Sequence, residues 1–186
     1  MSEFAKIYKT DLSDRQLMKF WVMVQASGRA RDVAYCMEPQ TPESFVRWMR
    51  KDDVEPWIIL HRGVPAALYF QTDRQGKSAQ GHFCTLPQGM RRTEGEKRLP
   101  VAVAAILYAL GSCLWLENES GGHYLDTIIG LTPVCNKAAI NFTRRIGGQP
   151  CGMIPGGCWY HDTNENVPGL VTVYTRESVP CWAAKL

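Results

Sequence analysis

The chain has 186 residues, 45% of them hydrophobic and 21% charged, an ordinary globular balance that suits a single domain over residues 1–186. Its net charge of +3 suits an anionic small molecule but is too small and too scattered to argue for a nucleic-acid partner. The seven cysteines (Cys36, Cys84, Cys113, Cys135, Cys151, Cys158 and Cys181) form no CxxC pair, and with no signal peptide ahead of them they read as reduced thiols of a cytoplasmic protein. A zinc site built from Cys151, Cys158 and His161 would have C-x6-C-x2-H spacing, which matches no standard site, so no metal is expected.

The N-terminal third is helical in pattern. In "DLSDRQLMKFWVMVQ", Ser13 and Gln16 form a capping box and Leu17, Phe20, Trp21 and Val24 fall on one face. In "TPESFVRWMRKDD", Thr41 is the N-cap, Pro42 takes the first helical position, and Phe45, Trp48 and Met49 share a side. The middle, "WIILHRGVPAALYFQTDRQGKSAQGHFCTL", predicts three strands near 57–61, 65–72 and 79–86. They form an antiparallel meander turned at Arg62-Gly63 and at Asp73 to Lys77.

"LPVAVAAILYALGSCLWL", Leu99 to Leu116, carries no charge and touches the lower limit for a membrane span. Pro100 opens the run, small residues recur within it, and Gly111-Ser112 invites a break. A buried helix with no membrane role is therefore the expectation. A strand at "YLDTIIGL", a helix from near Cys135, and strands near 149–160 and 169–175 around the loop "HDTNENVPG" complete the order α-α-β-β-β-α-β-α-β-β. The strands on either side of the 99–116 helix should be parallel neighbours joined by a right-handed crossover.

The stretch "LTPVCNKAAINFTRRIGGQPCGMIPG" places Asn136 after a Pro-containing turn, Ala139 three residues later and Gly147 eleven after the Asn. Read physically, Asn136 is an N-cap, Ala139 is small where the helix approaches a sheet, and Gly147 suits a left-handed C-cap. With the element order, this pattern resembles the GNAT superfamily of acyl-CoA-dependent N-acetyltransferases over residues 55–175. The resemblance implies an α+β fold with helices on both faces of a mixed, mostly antiparallel sheet, in which one parallel pair of strands is splayed.

The resemblance further implies that acetyl-CoA serves as cosubstrate, with its pantetheine arm bonded by Asn136 and by the main chain of Phe83, Cys84, Thr85 and Leu86. The family's phosphate loop, Gln/Arg-x-x-Gly-x-Gly/Ala, corresponds to Arg92-x-x-Gly95 in "PQGMRRTEGEKRLP", with Lys97 in place of the last small residue. Backbone N–H groups at a helix start favour an anion, and here Arg91, Arg92 and Lys97 supply cationic side chains as well.

Catalysis departs from the family at Thr143, where a Tyr acid is usual; Tyr160 and Tyr174 are the candidates to replace it, with water as the other proton carrier. His82 is the first candidate base and His61 the second. The two N-terminal helices and the loop from His161 to Gly169 would set acceptor specificity, with Tyr35, Trp48 and Trp21 as candidate lining residues. The implied activity is transfer of acetyl to a primary amine of a small molecule or peptide by direct attack in a ternary complex. The alternative is a catalytically silent acyl-CoA-binding or interaction module of the same fold. Dimers are frequent in the superfamily, so a homodimer is among the implied partners.

Overall fold

The computed structural model describes residues 3–28, 30, 41–87, 93, 99–117, 122–160 and 163–186. Along the chain come β1 (Phe4–Ile7), a 3₁₀ turn (Lys9–Asp11), α1 (Asp14–Ala26), α2 (Pro42–Met49), β2 (Glu55–His61), β3 (Val64–Gln75) and β4 (Ser78–Thr85). Then follow α3 (Val101–Trp115), β5 (Thr127–Pro133), α4 (Lys137–Arg145), β6 (Gln149–Tyr160), β7 (Glu165–Tyr174) and a closing 3₁₀ turn (Cys181–Lys185). The strands form one seven-stranded mixed sheet in the order β1-β2-β3-β4-β5-β7-β6. Its parallel pair is β4 with β5, as the crossover through α3 requires, and the other neighbours run antiparallel.

The caps read from the sequence are formed. Gln16 N donates to Ser13 Oγ at 3.3 Å and Ser13 N to Gln16 Oε1 at 2.8 Å, which closes the capping box of α1. Thr41 Oγ1 accepts from Ser44 N at 3.2 Å, with Pro42 opening α2. These helices cover one face of the sheet, where Leu17, Phe20, Trp21, Val24, Phe45 and Met49 pack with Ile58, Leu68, Phe70 and Cys84. Alternation along each strand sends the intervening residues Ile59, Tyr69, Ala79 and Ile128 to the opposite face, against Ile106 and Leu110 of α3.

Four expectations change. The strand β1 was absent from the sequence reading; four residues, one of them deeply buried, give too short an alternation to register, and pairing to β2 supplies the rest. β3 continues past Asp73 to Gln75 through a register shift after Thr72, so Asp73 (φ 51°) sits in a bulge and the turn falls later. α3 is unbroken at Gly111-Ser112. A Cβ on Gly111 would lie 2.5 Å from Ala184 N and 2.8 Å from Ala183 C, so that glycine admits the C-terminal 3₁₀ turn rather than ending the helix. β7 starts at Glu165, inside the segment read as a loop.

No helix among the described residues is long and apolar enough to cross a membrane. The outermost strand, β6, is interrupted by register shifts between Pro150 and Gly152 and between Ile154 and Cys158, and most of its residues are exposed.

Candidate active site

The parallel ladder is short. Its rungs are Ser78↔Thr127, Ala79↔Ile128 and Gln80↔Ile129, after which β4 continues to Thr85 and β5 to Pro133 with no further pairing between them. The first residue beyond the last rung is glycine on each strand, Gly81 and Gly130. Both sites lack room for a side chain: a Cβ on Gly81 would lie 2.5 Å from Ile128 Cγ2, and one on Gly130 2.7 Å from Thr172 Oγ1. The main chain therefore diverges where it is smallest.

Register fixes which backbone groups enter the gap. Leu86 N donates to Ala66 O at 3.0 Å, and Thr85 stands opposite Ala67. Counting back by two, Cys84 and His82 also direct their main-chain groups to β3. Gly81, Phe83 and Thr85 direct theirs toward β5, so of the Phe83 to Leu86 run only alternate members face the gap. The Phe83 ring meets Phe142 of α4 at a centroid distance of 5.2 Å, which sets α4 against one side of the parted strands.

Asn136 opens α4 and accepts from Ala139 N through Oδ1 at 3.0 Å, satisfying a helix donor that would otherwise be orphaned. Asn136 also lines a cavity of about 70 Å³, together with Gly81, His82, Phe83, Gly130 and Tyr174, among others. At the helix exit Gly147 has φ 89°, and a Cβ there would collide with Ser178 O, so only glycine fits. Thr143 is 2% exposed and its hydroxyl donates to Ile140 O at 2.8 Å.

Tyr174 is also 2% exposed, and its hydroxyl meets no well-aligned hydrogen-bond partner among the described residues. The hydroxyls of Thr143 and Thr172 lie beside it; each donates to a main-chain carbonyl, of Ile140 and Gly130, which leaves its oxygen able to accept. Burial pushes the Tyr174 phenol up to about 12, so at neutral pH it stays protonated and keeps a hydrogen to donate.

His82 lies flat on Phe70, with centroids 4.6 Å apart and planes 8° from parallel, and Phe70 is held edge-on by Trp48. Its Nε2 is 3.0 Å from Thr72 Oγ1. Burial lowers its pKa to about 4, partly offset by the Asp73 carboxylate, so the ring is neutral at physiological pH. His82 and Leu131 line both the small cavity and a second one of about 320 Å³, whose walls include Trp48, Asp53, Thr72, Asp73, Gln80 and Trp159. The imidazole thus stands between a slot in the sheet and an open hollow beneath α2.

Other predicted residues fall elsewhere. Tyr160 pairs with Glu165 at the end of the β6–β7 hairpin and lines neither cavity. His61 packs against Phe4 with the rings tilted by 41°, its Nε2 3.9 Å from Glu3 Oε2, toward the β1 edge of the sheet. Of the acceptor candidates, Trp48 lines the larger cavity, while Trp21 is core, stacked on Phe45 at 4.6 Å. Arg91, Arg92, Gly95 and Lys97 lie outside the described residues, as do Tyr35 and His161. Of the neighbouring residues that are described, Thr93 N donates to Leu99 O at 2.8 Å and Leu99 N to Thr93 Oγ1 at 3.1 Å.

Cys158 is buried and Cys151 exposed, and the described residues contain no group of three or more side chains suited to a metal. The sequence reading missed Thr72 and Asp73, assigned to a strand end and a turn; their signal was a polar pair two residues after Phe70, on the face that carries His82.

No family model matches the chain, and no curated protein matches it in sequence. Its fold, however, matches solved structures along nearly its whole length. RimJ of Mycobacterium smegmatis, in complex with CoA-disulfide, superposes with a TM-score of 0.67 at 15% identity over 94% of this chain and 84% of that one. The spermidine N-acetyltransferase of Vibrio cholerae, in complex with CoA and spermine, gives 0.67 at 12% identity over 95% and 98%. An acetyltransferase of Salmonella typhimurium that modifies the N-terminal serine of ribosomal protein L7/L12 gives 0.66 at 9% identity over 94% and 96%. With its seven-stranded mixed sheet and single parallel pair, the chain has the fold of the GNAT acetyltransferases, in a form far diverged in sequence.

Proposed function

We propose that the protein is an N-acetyltransferase that moves an acetyl group from acetyl-CoA to a primary amine within a ternary complex. The observation that carries this is the parting of β4 from β5 after Gln80 and Ile129, with His82 at the junction between the resulting slot and the 320 Å³ hollow. The thioester lies in the slot and the amine reaches it from the hollow. The Phe83 N–H and C=O pair with the pantetheine amides as an added strand would, and the Asn136 amide nitrogen donates to the same arm. The pyrophosphate lies against the start of α3 and the loop holding Arg91, Arg92, Gly95 and Lys97. Structures of the same fold carry CoA, and one carries spermine, in support of both occupants.

In the reaction the neutral amine attacks the acetyl carbonyl, a C–N bond forms, and the tetrahedral centre collapses with loss of the C–S bond. His82 accepts the proton that the amine nitrogen loses, and the Tyr174 hydroxyl donates a hydrogen bond to the leaving sulfur. Orientation and carbonyl polarisation carry most of the acceleration, the base contributing about 100-fold or more.

The second reading, an acyl-CoA-binding module without turnover, draws on Thr143, whose buried hydroxyl donates to Ile140 O where the family resemblance implies a Tyr. Thermal shift with acetyl-CoA, run beside thiol release over a panel of amines, separates the two. Stabilisation that vanishes in R92A/K97A, together with thiol release, supports the enzyme. Stabilisation without release supports the module, and no stabilisation defeats both.

A further inference from the structure

Thr72 touches two groups. Its Oγ1 is 3.1 Å from Asp73 Oδ2 and 3.0 Å from His82 Nε2. A threonine hydroxyl has one hydrogen to give, and a carboxylate only accepts. The Thr72 hydrogen is therefore given to Asp73, and the Thr72 oxygen takes its second bond from a hydrogen on His82 Nε2. In a neutral imidazole, a hydrogen on Nε2 leaves the lone pair on Nδ1.

From this we infer that Thr72 and Asp73 are positioning residues: they hold His82 in the Nε2–H tautomer, so that Nδ1 is the atom that takes the proton from the acceptor amine. The inference rests on the reading of His82 as base and adds which nitrogen acts and what fixes it.

Backbone geometry supports the arrangement. Thr72 and His82 are diagonal neighbours on one face of the antiparallel β3–β4 pair, where Thr72 stands opposite Gln80 and Phe70 opposite His82. Directly after Thr72 the register shifts, and Asp73 takes φ 51°, a left-handed conformation uncommon for a residue with a side chain. Bulges of this kind re-aim side chains beside functional sites. Here the bulge brings the Asp73 carboxylate back to its own neighbour's hydroxyl. Phe70 beneath the ring stops it from tilting out of this bond. When Nδ1 takes up a proton, the imidazolium still donates from Nε2 to Thr72, and the Asp73 carboxylate behind it stabilises the charge. Asp53 and Lys51, from the α2–β2 turn, are the other charged groups on the cavity wall.

The test reads the ring directly. The full chain contains four histidines, so ¹⁵N imidazole shifts are assignable by single replacement. Wild-type protein is expected to show His82 as Nε2–H. T72V removes the hydroxyl at constant shape and should release this preference, whereas T72S should keep it. D73G removes the carboxylate while tolerating the positive φ, freeing the Thr72 hydrogen for Nε2, and should turn the ring toward Nδ1–H.

With an amine that turns over, T72V and D73G should lower kcat by about tenfold or more, with KM for acetyl-CoA changed less than about twofold and T72S near wild type; a wrongly held tautomer can cost up to about 10⁴-fold. A wild-type Nδ1–H ring, or a tautomer indifferent to T72V and D73G, overturns the inference whether or not turnover is found. Unchanged kcat in H82Q would instead remove the base reading, with the ¹⁵N result standing apart from it.

Discussion

Gly81 and Gly130 occupy matching places on the two parallel strands, each immediately after the last rung that joins them. Neither side tolerates a Cβ without moving a buried neighbour, Ile128 in one case and Thr172 in the other. Gly81→Ala is therefore expected to cost about 1–3 kcal/mol through overpacking. In a chain of this size that is a fall of about 2–4 °C in Tm for each kcal/mol, measured by calorimetry. An unchanged Tm would mean that the strands part for some other reason.

Asn136 separates capping from ligand binding. Asn136→Ala removes the cap on Ala139 N and should cost about 1 kcal/mol in urea unfolding. Asn136→Asp keeps an accepting oxygen but loses the amide donor. It should unfold like the wild type while raising KM for acetyl-CoA, and equal KM values would confine Asn136 to a structural role.

Tyr174→Phe removes a buried hydroxyl that has no well-aligned partner among the described residues, only the Thr143 and Thr172 hydroxyls beside it. Such a group is costly to bury, so the variant should be no less stable than the wild type. If the hydroxyl assists the departing sulfur, kcat falls several-fold at unchanged Tm. A fall in Tm with kcat intact would place the hydroxyl in the scaffold instead.

His82 gives a pH signature with a definite sign. Its pKa is depressed from 6.5 to about 4, so the folded state favours the neutral ring. That contribution is complete above pH 6.5 and is lost as pH falls toward 4, by up to about 3 kcal/mol. Urea unfolding of the wild type and H82Q across this range isolates it. The wild type should lose stability on acidification more steeply than the variant, and parallel curves would contradict a desolvated, neutral imidazole.

Legibility in the sequence followed how local each determinant is. Ser13 with Gln16, Thr41 with Pro42 and the Asn136–Gly147 helix all carry their signals within a few residues, and all were readable. The buried stripe Leu17, Phe20, Trp21 and Val24 was equally plain from its spacing. What escaped depended on distant neighbours. β1 exists because β2 accepts it. Gly111 is small because the C-terminus crosses it, not because the helix stops there. His82 is a candidate base from its strand alone, but Thr72 and Asp73 gain meaning only once β3 is laid beside β4 and the bulge is seen. Tyr174 became a better candidate than Tyr160 for a similar reason: β7 lies beside β5 and brings Tyr174 under the gap, while the hairpin carries Tyr160 away.

The broken pairing of β6 reaches beyond the slot. As the sheet's terminal strand it exposes Met153 and Ile154, a composition that would invite stacking by a neighbouring molecule's backbone. Pro150 and Pro155 lack an amide hydrogen, and the register breaks beside each of them, between Pro150 and Gly152 and between Ile154 and Cys158. A foreign strand would find no continuous row of donors to copy, which leaves those apolar side chains at the margin without making the margin a seed for fibrils.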